Sequence, residues 1–229
     1  MGNFCPQCGQ KKNTHKFTLV NILHEVPHSV FHVDKGFPYT FKELIYRPGN
    51  AIREYISGKR VTHFSPFAYL LILCTIRTFV DHRVTSLMDK HYTINPHILF
   101  PEVGLFFKAY PALMLCLLVP FLSFWSWLFN RQSGYTYWEN FVMNVYLMAQ
   151  FNVFFIASKL ITLFTGWESN KVTIQLVCFV AYLSFAYWQF FPRRRGFLHI
   201  LNRISLFVII SLTLLTGLTL TGFMTRFWW

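Results

Sequence analysis

The chain has 229 residues, of which 54% are hydrophobic, 20% aromatic and only 13% charged, with a mean hydropathy of +0.37. An ordinary soluble domain is less apolar and carries more charge, so composition excludes that class and calls for a surface that faces lipid. The 21 basic residues outnumber the 9 acidic ones for a formal charge of +12, and their position relative to the apolar runs decides what that excess means.

Residues 1–16, MGNFCPQCGQKKNTHK, hold no apolar core of the kind a secretory signal needs, so the first span is expected to act as the targeting signal. Cys5-Pro6-Gln7-Cys8-Gly9 is a knuckle, with two thiolates spaced to bind one Zn2+ and a glycine that lets the turn close. It is half a site, because tetrahedral zinc takes four ligands and Cys74, Cys116 and Cys178 fall inside apolar runs. Candidate completions are His15, or His24, His28 and His32, which recur every four residues and would line one helix face that Pro27 interrupts. One reading is therefore a zinc site with Cys5, Cys8, His24 and His28, zinc being the one cofactor the residues suggest. The other is a remnant knuckle, or one that a second chain completes.

Residues 17–63 read as an amphipathic, basic platform on the cytoplasmic membrane surface. Residues 18–33 carry Leu19, Ile22, Leu23, Val26 and Val30 with histidines between them, which suits a surface helix kinked at Pro27. A short helix is expected over 40–46, ended by Pro48-Gly49, and another over 51–57, capped by Asn50 and stopped by Gly58 at C′. Lys59 and Arg60 follow at headgroup level. Lys35, Arg47, Arg53, Lys59 and Arg60 are the expected membrane-surface cations, directed at anionic lipid. Asp34, Glu43 and Glu54 are expected to pair with Lys35, Lys42 and Arg53 or to be solvated.

A bilayer core about 30 Å thick needs roughly 20 apolar residues in a helix. Five runs pass, 64–80, 103–129, 141–164, 172–191 and 204–223, and most lack the polar stripe of helices in a soluble bundle. They make 64–223 a transmembrane domain, followed by a tail at 224–229. With the amino terminus inside, nine basic residues up to Arg60, then Arg131, Arg193, Arg194, Arg195 and Arg203, put fourteen on the cytoplasmic side. Arg83, Lys90, Lys171 and Arg226 fall outside, so the carboxyl terminus is periplasmic, with Trp228 and Trp229 at the interface belt. The net charge thus reports topology, and nucleic acid is not expected as a direct ligand.

CPQCGQK, followed by HVDKGFPYTFKELIYRPGNAIREYISGKRVTHFSPFAYLL, resembles the domain-of-unknown-function family 3667 over about residues 4–75. The resemblance implies a zinc ribbon joined to a DKGF…T…L…RPG…I…Y…GKR…PF platform and several spans. Members carry a further CxxC pair ahead of CPxCGQK, and that first pair is missing from the sequence. In size and layout the chain is also similar to the small membrane proteins that accompany RNA-guided type VI-B CRISPR nucleases.

Ionisable groups inside spans are expensive and tend to mark functional sites. Arg77, Lys108 and Lys159 all fall in the outer leaflet on this topology, with no carboxylate inside a span to pair with them. Asn144 and Asn152 lie on the side of the third span that carries Lys159. Together these residues outline an anion or headgroup site for phosphate or carboxylate; the alternative is that the three long side chains snorkel to the interface. No G-x-S-x-G, H-E-x-x-H or P-loop occurs, and His24-Glu25 leads only to H-E-x-x-x-H.

The sequence therefore predicts an all-α integral membrane protein of about five transmembrane helices behind a cytoplasmic platform. It is expected to act without enzymatic activity, as a membrane component or partner-binding module of the inner membrane. Its partners would be anionic lipid, a protein on the cytoplasmic face and further copies of itself. Other readings stand beside this one: a transporter or transferase handling lipid or small anions through the outer-leaflet cations, and a pore-forming or regulatory accessory protein of a type VI-B CRISPR system, pore formation by oligomerisation drawing on the Thr216, Gly217 and Thr219 face of span five.

Overall fold

The computed structural model describes residues 36–87, 111–165 and 171–191. These residues are helical throughout, with six α-helices and no strand: α1 Gly36–Tyr46, α2 Pro48–Ile56, α3 Pro66–Leu87, α4 Pro111–Phe129, α5 Tyr137–Thr165 and α6 Lys171–Phe190. The helix expected over 18–33 and the span expected over 204–223 lie outside the described residues.

The central element is α5, buried at Asn140, at every position from Val142 to Gln150, and at Asn152. It starts with a reciprocal cap: the Glu139 backbone N–H donates to Thr136 Oγ1 at 3.3 Å, and the Thr136 N–H donates to Glu139 Oε2 at 2.7 Å. This T-x-x-E box satisfies two of the donors that a helix start leaves open, and Glu139 also complements the helix dipole. The neighbours of α5 contact it in a definite order. α3 runs parallel to it, pairing Phe67 with Phe141, Tyr69 with Gln150, Arg77 with Asn152 and Asp81 with Lys159. α6 runs antiparallel, pairing Tyr187 with Asn144, Phe151 with Phe179 and Ser158 with Gln175. α4 returns to α5 through the Asn130–Thr136 turn, where Gly134 takes the left-handed conformation at φ 83°. The start of α3, the end of α4, the start of α5 and the end of α6 thus share one end of the bundle, and α1 and α2 lie there.

Among the described residues, one helix, Tyr137–Thr165, is long and apolar enough to cross a membrane, and shorter apolar stretches occupy Val119–Phe129 and Val177–Phe190. α3 is less apolar because Arg77, Asp81 and Arg83 fall within it. Phe79, Phe121, Phe124, Ile161, Phe164 and Trp188 point outward, exposed, which suits an apolar solvent better than water.

Helix boundaries depart from expectation in places. α1 ends at Tyr46 as expected, and Pro48 also opens α2 at the first helical position, where its missing N–H has no partner to lose. Asn50 consequently sits within the first turn, and Arg47 occupies the N-cap without a side-chain cap bond. α1 is helical from Gly36, the first described residue, and so already ahead of the expected 40. α3 continues to Leu87, because helical hydrogen bonding does not stop where the apolar run ends at Val80. Gly58 stands at C′ as expected, with φ 116°. Its N–H donates to the Tyr55 carbonyl at 3.1 Å and that of Lys59 to Glu54 at 3.0 Å, the two bonds of a Schellman stop.

Candidate functional site

The platform signature is a joint. In α2, Gly49 lies against the last turn of α6: a Cβ there would come within 2.4 Å of the Ala186 carbonyl oxygen and of the Phe190 nitrogen. The Gly49 N–H donates to Gln189 Oε1 at 3.1 Å. One turn on, the Arg53 guanidinium donates to the Phe190 carbonyl at 2.8 Å and to the Gln189 carbonyl. These carbonyls belong to the last turn of α6, where a helix presents carbonyls without intrahelical donors and the negative end of its dipole, so a cation placed there stabilises the helix end. Arg47 bridges α1 to α2 by pairing with Glu43 and, at 3.0 Å, with Glu54 Oε1. Glu54 also takes Lys59 Nζ at 2.7 Å. These pairings replace the expected ones with Lys42 and Arg53, because helical spacing puts Glu43 over Arg47 and the Schellman stop folds Lys59 back to Glu54. The Lys59 ammonium holds the Glu54 carboxyl below its usual range, and Glu54 raises Lys59 in return.

The bundle completes the joint. Tyr182 donates to the Leu44 carbonyl at 2.9 Å and Tyr146 to that of Phe64. The Phe64 N–H donates to buried Thr40 at 2.7 Å, and a Cβ at Gly36 would press on residues 62–64 at 3.2 Å. Leu44, Ala51, Ile52 and Tyr55 belong to the same apolar core as Tyr69 and Val142. Beside them His63 is 6% exposed. Its Nδ1–H donates to the Lys59 carbonyl at 2.9 Å, which leaves Nε2 buried without a partner among the described residues, and burial pushes the imidazole below its ordinary value.

The second feature lies toward the other end of the bundle, between α3 and α5. Arg77 is 6% exposed. Its Nη1 donates to Asn152 Oδ1 at 3.2 Å, and its guanidinium carbon stands 3.9 Å from the centre of the Phe155 ring and 5.8 Å from that of Phe151. One turn on, Lys159 Nζ pairs with Asp81 Oδ1 at 2.6 Å and lies 5.5 Å from the same Phe155 ring.

Of the expected anion-site residues, Arg77, Asn152 and Lys159 therefore come together. Asn144 does not join them; its Oδ1 accepts from Tyr187 at 2.8 Å, nearer the platform end. Lys159 has a carboxylate partner, contrary to expectation, because Asp81 falls one residue beyond the apolar run and α3 carries on through it. Its signal was visible: Asp81 follows Arg77 at i+4. Lys108 lies outside the described residues, as do Cys5, Cys8, His24, His28 and Lys35. Among the described residues no group of three His, Cys, Asp or Glu side chains could hold a metal. Of the expected surface cations, Arg47, Arg53 and Lys59 hold the platform together, and Arg60 lies 5.7 Å from the Tyr55 ring.

Also missed were the polar contacts that tie the helices to α5: Ser126 to Asn140 Oδ1 at 2.7 Å and Tyr69 to Gln150 Oε1 at 2.9 Å. Amides on a central apolar helix were the available signal, since each must find a partner. No curated protein and no solved structure matches the chain. Residues 34–78, which take in α1, α2 and the first part of α3, match the family model described as Protein of unknown function (DUF3667), so the match covers the platform side of the joint and leaves its α6 side outside.

Proposed function

We propose that the chain is a non-enzymatic multi-pass protein of the bacterial inner membrane, whose platform sits on the cytoplasmic side and presents the amino-terminal segment to a protein partner or to anionic lipid. The observation that carries this reading is the engagement of the signature residues in structure: Gly49 and Arg53 fasten α2 to the end of α6, and Arg47 fastens α1 to α2. A segment held this firmly serves as a rigid mount for what precedes it. Placing that end in the cytoplasm agrees with the basic residues, fourteen of which then lie inside against four outside.

Two reporter fusions test the reading. A reporter after Trp229 is expected to behave as periplasmic and one inserted after Arg195 as cytoplasmic. A cytoplasmic signal from the carboxyl-terminal fusion would overturn the five-span topology. Photocrosslinkers placed within residues 1–35 are expected to capture a protein in cells; capture of lipid without any protein would argue for lipid instead.

A further inference from the structure

We propose that Arg77, with Asp81, Lys159 and Asn152, forms a binding site for the phosphodiester anion of a membrane lipid headgroup. The inference rests on the membrane reading above. The first ground is charge. Two cations and one carboxylate meet between α3 and α5, and Asp81 is engaged by Lys159. Asp81, one turn along α3, also faces Arg77, so one carboxylate is shared by two cations; a net positive charge remains around a guanidinium that is 6% exposed, and a buried charge that is only partly compensated is costly.

The second ground is unused hydrogen-bonding capacity. A guanidinium has five donors in a planar fork. Among the described residues Arg77 makes one hydrogen bond, to Asn152, and its Nε is buried without a partner. A phosphate takes two such donors at once. Snorkelling fails as an explanation because Arg77 stays inside, stacked on Phe155.

The third ground is position. Arg77 lies about 17 Å along α3 from Pro66, at about 1.5 Å per residue, in the half remote from the platform. The Asp81 and Lys159 side chains are 31% and 24% exposed, so the cluster opens outward next to buried Arg77. A monoanion matches the surplus charge, and a headgroup phosphate is the anion that a partly exposed cluster on a membrane helix pair meets at high concentration.

The test uses full-length protein in detergent and follows thermal unfolding with phosphatidylglycerol, diacylglycerol or inorganic phosphate added. Phosphatidylglycerol is expected to stabilise the wild type, while neutral diacylglycerol and inorganic phosphate are not. Arg77→Gln is expected to weaken the response about tenfold, the scale of one lost hydrogen bond to a charged group. Asp81→Asn, which frees Lys159 and keeps Arg77, is expected to strengthen it, and this arm stands should Arg77→Gln fail to fold. An equal response in wild type and Arg77→Gln, or a weaker one in Asp81→Asn, would overturn the site. Equal stabilisation by inorganic phosphate would overturn the lipid assignment in favour of a free anion. Asp89, Glu102 and Glu168 lie outside the described residues; if neutralising all three lowers the melting temperature as far as Arg77→Gln does, an internal carboxylate is the partner and the proposal fails. Alkaline extraction separates the two readings: protein released from membranes sinks the membrane reading, whereas protein retained with a flat lipid response sinks the site alone.

Discussion

A methyl group at position 49 would meet backbone atoms of α6 at 2.4 Å, and backbone cannot swing aside as a side chain can. Gly49→Ala is therefore expected to destabilise the protein by roughly 1–3 kcal/mol through overpacking, read as a lower melting temperature in detergent; an unchanged melting temperature would mean that α2 does not rest on α6. His63 gives a pH dependence of known sign. Its Nε2 is buried and has no partner among the described residues, so the fold favours neutral imidazole and the pKa lies below the ordinary 6.5. Tyr39, Glu43, Glu54, Tyr55 and Lys59 face or surround it, and burial outweighs the opposing pull of the carboxylates. The contribution is complete above the ordinary value and is lost as pH falls below it. Amide exchange at residues 59–64 is expected to rise on acidification through that window, and His63→Gln to flatten the rise; exchange that is pH-independent after correction for intrinsic rates would contradict this. Arg53 was expected at the membrane surface from its charge alone, but residue type does not say that two carbonyls at the end of α6 lie within reach.

At the scale of elements, proline and threonine set the boundaries. Pro48 opens α2, and the Thr136–Glu139 box opens α5, the helix on which the others pack. Removing the box with Thr136→Val is expected to cost about 1 kcal/mol. Because the start of α5 is packed at Asn140 and Val142, the loss should appear as lower global stability and not as local fraying; a melting temperature equal to wild type would show that packing alone fixes this end. The Schellman stop at Gly58 was legible from Gly placed after an amphipathic run. The length of α3 was not, since apolarity marks where lipid contact ends and hydrogen bonding continues beyond it.

For the whole molecule, parallel α3 and α5 with antiparallel α4 and α6 place the 130–136 turn at the platform end and Ser86 at the opposite end. In a chain whose own cysteines are replaced by alanine, Gln132→Cys is expected to react with an impermeant thiol reagent only from the cytoplasmic side and Ser86→Cys only from the other. Labelling of both from one side would break the arrangement.

The sequence by itself determined what depends on local content: helical class, an apolar exterior, a basic end, the Gly58 stop, and a signature order that a family model matches at residues 34–78. Each follows from periodicity, composition or neighbouring residues. Tertiary structure decided which partner each polar side chain takes. Arg53 with the end of α6, Tyr69 with Gln150 and Lys159 with Asp81 join residues 78 to 137 positions apart. Nothing local encodes those distances: they arise when apolar faces pack around α5, and the buried amides and charges must then bond to whatever the packing brings near.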